Sequence, residues 1–128
     1  MKVTEFAFVG HPVAHLQRAR QFYEGVLQLP APQVVDGGLD SDVGMLEYEI
    51  GPYTLAITTA WSGGKKPDKP SRGLVLEVDD FEEAIRHIES QGVPFQLGPF
   101  EGPSCSIAVI LDPDGNEIGI HKRKPSTP

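Results

Sequence analysis

His121 and the glutamates Glu117, Glu77, Glu47 and Glu49 are the side chains of this sequence best suited to chemistry. A neutral imidazole can ligate a divalent metal or move a proton near neutral pH, and a neighbouring carboxylate can orient it. Strand alternation sets Glu117, Gly119 and His121 on one side of a strand, so Glu117 and His121 form the candidate catalytic pair. The alternative for His121 is a solvent-facing strand end, because Lys122-Arg123-Lys124 follow it. Glu47 and Glu49 alternate with Leu46, Tyr48 and Ile50, and should point into a pocket or onto solvated sheet. His11 and His15, near a strand-to-helix step, read as structural, and His87 reads as exposed on a helix. Cys105, the lone cysteine, alternates in phase with Ile107, Val109 and Leu111 and reads as a buried small hydrophobe. Gly37-Gly38 and Gly63-Gly64 lack the strand-to-helix context of a phosphate loop, and there is no serine-histidine-acid pattern.

The elements that must position these residues occur twice. Val13-Ala14-His15-Leu16-Gln17-Arg18-Ala19 returns 65 residues later as Val78-Asp79-Asp80-Phe81-Glu82-Glu83-Ala84. Each copy runs from a short apolar strand through a polar capping step into an amphipathic helix, then into further strands. A repeat of this length present twice is a duplicated module rather than a solenoid. Module 1 (1–61) reads as strand 3–10, helix 16–27 ended by Pro30, and strands 33–35, 44–50 and 53–59. Residues 62–72 hold two glycines, two prolines and three lysines, and read as a linker. Module 2 (73–122) reads as strand 73–78, a helix capped by Asp79 or Asp80 and closed at Gly92, and strands 94–96, 104–111 and 117–121. Asp112-Pro113-Asp114-Gly115-Asn116 is the turn before the last strand. The expectation is one α+β domain over 1–124, built of two βαβββ modules, with a loose tail at 125–128.

Alternation separates two sheet faces. Tyr53, Leu55 and Ile57, then Leu74, Leu76 and Val78, then Ile118 and Ile120, should lie under the helices. Opposite them stand Thr54, Ala56 and Thr58, then Gly73, Val75 and Glu77, then Glu117, Gly119 and His121. These are small or polar, as suits the wall of a partly wet cavity, and Phe6, Phe8 and Trp61 could add aromatic lining. With 128 residues the chain can bury a real core, and a net charge of −7 argues against nucleic acid and anionic membranes as partners. No run approaches the roughly 18 apolar residues of a membrane span, and a lone cysteine gives no support for secretion, so a cytoplasmic protein is expected.

The helix Ala19-Arg20-Gln21-Phe22-Tyr23-Glu24-Gly25-Val26-Leu27, the stretch Leu76-Glu77-Val78-Asp79-Asp80-Phe81 and the turn Asp112-Pro113-Asp114-Gly115-Asn116 together resemble the vicinal oxygen chelate superfamily of glyoxalases, extradiol dioxygenases and bleomycin-resistance proteins. The resemblance implies paired βαβββ modules whose curved sheets enclose a ligand site, often completed by dimerisation. It also implies a divalent metal held by inward histidine and glutamate or glutamine side chains and acting as a Lewis acid. Carried over residue by residue, the four ligand positions are Phe8, Ala56, Gly73 and Gly119, none of which can ligate a metal through its side chain. The expectation is therefore a homodimeric binder of a small organic molecule, with a metal-free or atypical pocket and no cofactor. The alternative is a glyoxalase- or dioxygenase-type enzyme, a lyase, isomerase or dioxygenase, using relocated metal ligands around His121 or metal-free proton transfer by it.

Overall fold

The computed structural model describes residues 1–125, so residues 126–128 of the expected tail lie outside it; Pro125 is exposed. The first sheet has the order β1-β4-β3-β2, with β1 Val9–Pro12, β2 Gln33–Asp36, β3 Met45–Ile50 and β4 Tyr53–Thr58. The second repeats it as β5-β8-β7-β6, with β5 Leu74–Glu77, β6 Leu97–Glu101, β7 Cys105–Leu111 and β8 Glu117–Arg123. In each sheet the outer strand runs parallel to its neighbour, β1 with β4 and β5 with β8, and the remaining pairs are antiparallel. The sequence repeat is thus a repeat of topology, and the chain is α+β.

The two helices start by different means. Helix α2 (Phe81–Ser90) carries its own cap, since Asp80 accepts from the Glu83 N–H at 3.1 Å, and Gly92 closes it at φ +72°. Helix α1 (Leu16–Arg20) has no such local cap. Asp42, from the loop before β3, accepts from the Gln17 N–H at 3.1 Å and bonds His15 at 2.8 Å, while its carbonyl accepts from Leu16. The expected helix 16–27 widens into a π-helix over Gln21–Val26, and Gln28, at φ +56°, ends it before Pro30 can.

Other expectations need correction. Strand β1 begins at Val9 rather than at residue 3, because residues 1–8 have no strand beside them; Phe6 is 96% exposed. Strand β6 begins at Leu97 rather than at residue 94, since Val93 and Phe95 turn to the core and the register shifts between Leu97 and Phe100. Tyr53, at the very start of β4, stays exposed instead of lying under a helix. Cys105 does share a face with Ile107, Val109 and Leu111, but it is the face away from the helices; Ser106, Ala108 and Ile110 are the buried ones.

One core serves both modules. Leu16, Ala19, Phe22 and Tyr23 meet Leu46, Tyr48, Leu55 and Ile57 together with Phe81, Ile88, Ala108, Ile110, Ile118 and Ile120. Each leucine, isoleucine or phenylalanine among them contributes about 1.5–3 kcal/mol by leaving water. His87, expected to be exposed, instead bridges the modules by bonding the Val26 carbonyl at 2.9 Å.

The Asp112–Asn116 turn is the second bridge. Asp112 accepts from its own turn, from the N–H groups of Asp114 and Asn116, and from the Tyr23 hydroxyl at 2.7 Å. Asn116 donates to the Pro12 carbonyl, and Asp114 accepts from Ala14 N–H and from Arg18. Behind Tyr23, its hydroxyl oxygen lies 2.6 Å from His11 Nδ1. Because that hydroxyl gives its hydrogen to Asp112, Nδ1 is the donor in the His11 contact.

Candidate functional site

Strands β1 and β5 each have one free edge, and a cleft of about 520 Å³ is lined from both. Phe6, Ala7, Phe8 and Val9 form one wall as the chain enters β1. Leu74, Val75, Leu76 and Glu77 of β5 form the other, with Arg123 at the end of β8. Thr54 and Leu55 of β4 and the corner Ile50, Pro52 and Tyr53 complete it. The lining is largely apolar with a charged rim, the composition of a small-molecule site.

Of the residues expected to line a pocket, Phe6, Phe8, Thr54, Val75 and Glu77 face this cleft. Trp61 stacks on Phe8, with ring centroids 6.1 Å apart. It also crosses Gly10 so closely that a Cβ there would come 2.2 Å from the indole ring. Ala56 and Thr58 are buried, and Gly119 lies under Val75, whose Cγ2 would meet an added Cβ at 3.0 Å. Those three positions are sealed by packing and do not open onto the cleft. Gly73 is exposed at φ +97° with open space around it. Glu47 pairs in register with Ala56, and Glu49 accepts from the Thr54 hydroxyl; neither is brought to His121.

The acid-base pair differs from the one expected. His121 Nδ1 lies 2.6 Å from Glu77 Oε1, on the neighbouring strand, while Glu117 turns to Arg72 at 3.7 Å. The parallel register places Glu77 directly beside His121, whereas Glu117 is four residues away along its own strand. Glu77 Oε2 accepts from the Arg123 backbone N–H at 2.7 Å. That bond, and then the one to His121, hold the Glu77 carboxyl below its usual range. Arg123 escaped the sequence reading, although it continues the phase of Glu117, Gly119 and His121. Burial acts elsewhere: it pushes the His11 imidazole down to about 4 and raises the Tyr23 phenol.

The sequence model of the Glyoxalase/Bleomycin resistance protein/Dioxygenase superfamily matches residues 6–120. The chain belongs to that superfamily. Glyoxalase I of Saccharomyces cerevisiae is 34% identical to it over 77 residues, which cover 52% of this chain and 24% of that enzyme. The chain thus spans only about a quarter of that relative. TnmS3, an antibiotic binding protein from Streptomyces sp. CB03234, superposes with a TM-score of 0.73 at 25% identity, covering 97% of this chain and 99% of its own. A superfamily member from Sphaerobacter thermophilus has the same fold, with a TM-score of 0.73 at 21% identity over 96% of this chain and all of its own.

The divalent metal of the superfamily does not fit the residues present. Phe8, Ala56, Gly73 and Gly119 offer no side-chain donor, and Ala56 and Gly119 are packed over. Among the described residues no three histidine, cysteine, aspartate or glutamate side chains converge as a metal site would require. The relocated set around His121 is not assembled, since only Glu77 reaches it. Among the described residues no helix is long and apolar enough to cross a membrane.

Proposed function

We propose that this chain binds a small organic molecule in the cleft between β1 and β5, without the superfamily's metal, as a homodimer. The observation that carries this reading is the cleft wall: it is built mainly of aromatic and aliphatic side chains, and of the four positions at which a metal-dependent relative would present ligands only that of Phe8 faces it. Phe8 occupies one of those positions and faces the cleft with Trp61 stacked beside it, a platform suited to a flat ligand. The likeness to an antibiotic binding protein over nearly the whole chain supports sequestration as the class of activity. Self-association is supported by exposed large apolar side chains, Phe6 and Val75 in the cleft wall and Leu97 and Phe100 on β6.

Trp61 is the lone tryptophan and reports directly on its neighbour Phe8. Titration with a panel of planar aromatic antibiotics should give saturable quenching of its fluorescence at one ligand per chain, unchanged by a chelator and weakened at least tenfold by Phe8→Ala. A stoichiometric metal in the purified protein, whose removal abolishes binding, would overturn the metal-free reading.

A further inference from the structure

We infer that the cleft selects an anion: a flat aromatic carboxylate whose charged end is held by the Arg123 guanidinium while its rings lie between the apolar walls. This deepens, and rests on, the reading of the cleft as a small-molecule site. Glu77 and Arg123 are the only charged side chains among the described residues of the lining. The charge of a ligand is therefore decided between these two.

Their hydrogen-bonding states are opposite. Glu77 is engaged at both oxygens: Oε1 lies 2.6 Å from His121 Nδ1, and Oε2 accepts from the Arg123 backbone N–H at 2.7 Å. An ionised carboxylate only accepts, so both contacts come from donors within the sheet and offset part of its charge. The Arg123 guanidinium makes no hydrogen bond among the described residues. Its contact with Glu77 Oε1, at 4.0 Å, is at the outer limit of an ion pair, and that oxygen already faces His121. The planar fork of N–H donors is thus left for a partner, and the Arg123 side chain is 79% exposed, so a ligand can reach it. Thr54 gives its hydroxyl hydrogen to Glu49 at 3.1 Å and adds no donor, while Glu49 itself stands outside the lining.

The remaining walls suit the body of such a molecule. Phe6 and Phe8 on one side and Leu74, Val75 and Leu76 on the other offer faces to flat rings. A carboxylate at the rim keeps one side in water while its two oxygens meet the guanidinium in parallel. A cation in the same place would approach Arg123 and find both Glu77 oxygens engaged. The net charge of −7 opposes an anion only at long range, where salt screens it over about 8 Å, whereas the guanidinium acts in contact.

Three probes of one shape separate the charges: 2-naphthoate, neutral 2-naphthamide and the cationic 2-naphthylmethylamine, titrated into the intact protein by calorimetry at neutral pH. Naphthoate should bind about fivefold tighter than naphthamide, the effect of one well-formed exposed pair, and the amine should bind most weakly. Arg123→Gln keeps the backbone N–H on Glu77, so it should bring naphthoate to the level of naphthamide and leave naphthamide unchanged. Arg123→Lys should retain only part of the preference, because an ammonium does not present a planar fork to both oxygens. Lys122 pairs with buried Ser106 and is out of phase with Arg123 along β8; Lys122→Gln removes the same charge and should leave the preference intact. Equal loss of preference in Lys122→Gln and Arg123→Gln would assign it to net charge and overturn the inference. Equal affinity for all three probes, or tighter binding of the amine, overturns it too, while binding that Phe8→Ala weakens for every probe leaves the small-molecule reading standing. Absence of binding by all three overturns both.

Discussion

His11 shows how one buried side chain links this protein's stability to pH. Its ring is fully buried, and burial lowers its pKa from 6.5 to about 4. Below pH 6.5 the unfolded chain takes up a proton that the folded chain refuses, so stability should fall as pH drops from 6.5 towards 4. The expected slope is up to about 1.4 kcal/mol per pH unit, roughly 3 kcal/mol in total. The carboxylates whose folded pKa values are depressed, Glu24, Asp42 and Glu77, act in a lower window, as pH falls through the acid range. Urea unfolding at steps between pH 7 and 4 should therefore show a decline that His11→Gln flattens; an unchanged slope in that variant would assign the effect elsewhere. Gly10 offers a second test at this scale. A methyl group there would meet the Trp61 ring, so Gly10→Ala should displace the indole, shift its emission to the red and lower Tm.

At the scale of elements, the two helices test two kinds of cap. Asp80→Ala and Asp42→Ala should each cost about 1 kcal/mol in urea unfolding. The Asp42 variant should also loosen the loop before β3, because one side chain serves both. The difference also explains what was legible in the sequence. Asp80 stands next to the helix it caps and could be read locally, while Asp42 lies 25 residues from the Gln17 N–H it satisfies. Strands β3, β4 and β7 were legible because alternation is a local signal. That Glu77, and not Glu117, would pair with His121 was not, because Glu77 reaches it through parallel pairing across 44 residues. The phase of Ala56, Thr58 and Gly119 was readable too, but not that Trp61 and Val75 would fill the space above Gly10 and Gly119. A small residue in sequence marks either an opening or a seat for a neighbour, and tertiary packing decides which.

At the scale of the whole molecule, the modules share one core and a buried polar bridge, so they should unfold together. Tyr23→Phe removes the hydroxyl that joins His11 to Asp112 and should cost about 1–3 kcal/mol within a single calorimetric transition. Two separate transitions would mean that the modules are independent. Sedimentation should give a dimer that Leu97→Glu weakens, since Leu97 is half exposed on the face away from the helices. The Asp112–Asn116 turn carries a further consequence, in the order of events during synthesis. Its bonds to Pro12, Ala14 and Tyr23 span 104, 100 and 89 residues, so the entry to the first helix waits for nearly the last strand to be made. A nascent chain stalled before residue 112 would hold the first module incomplete, with the Ala14 N–H and Pro12 carbonyl still bonded to water. Protease resistance of the emerging chain should therefore arise late and all at once, after residue 116 has cleared the ribosome, rather than module by module.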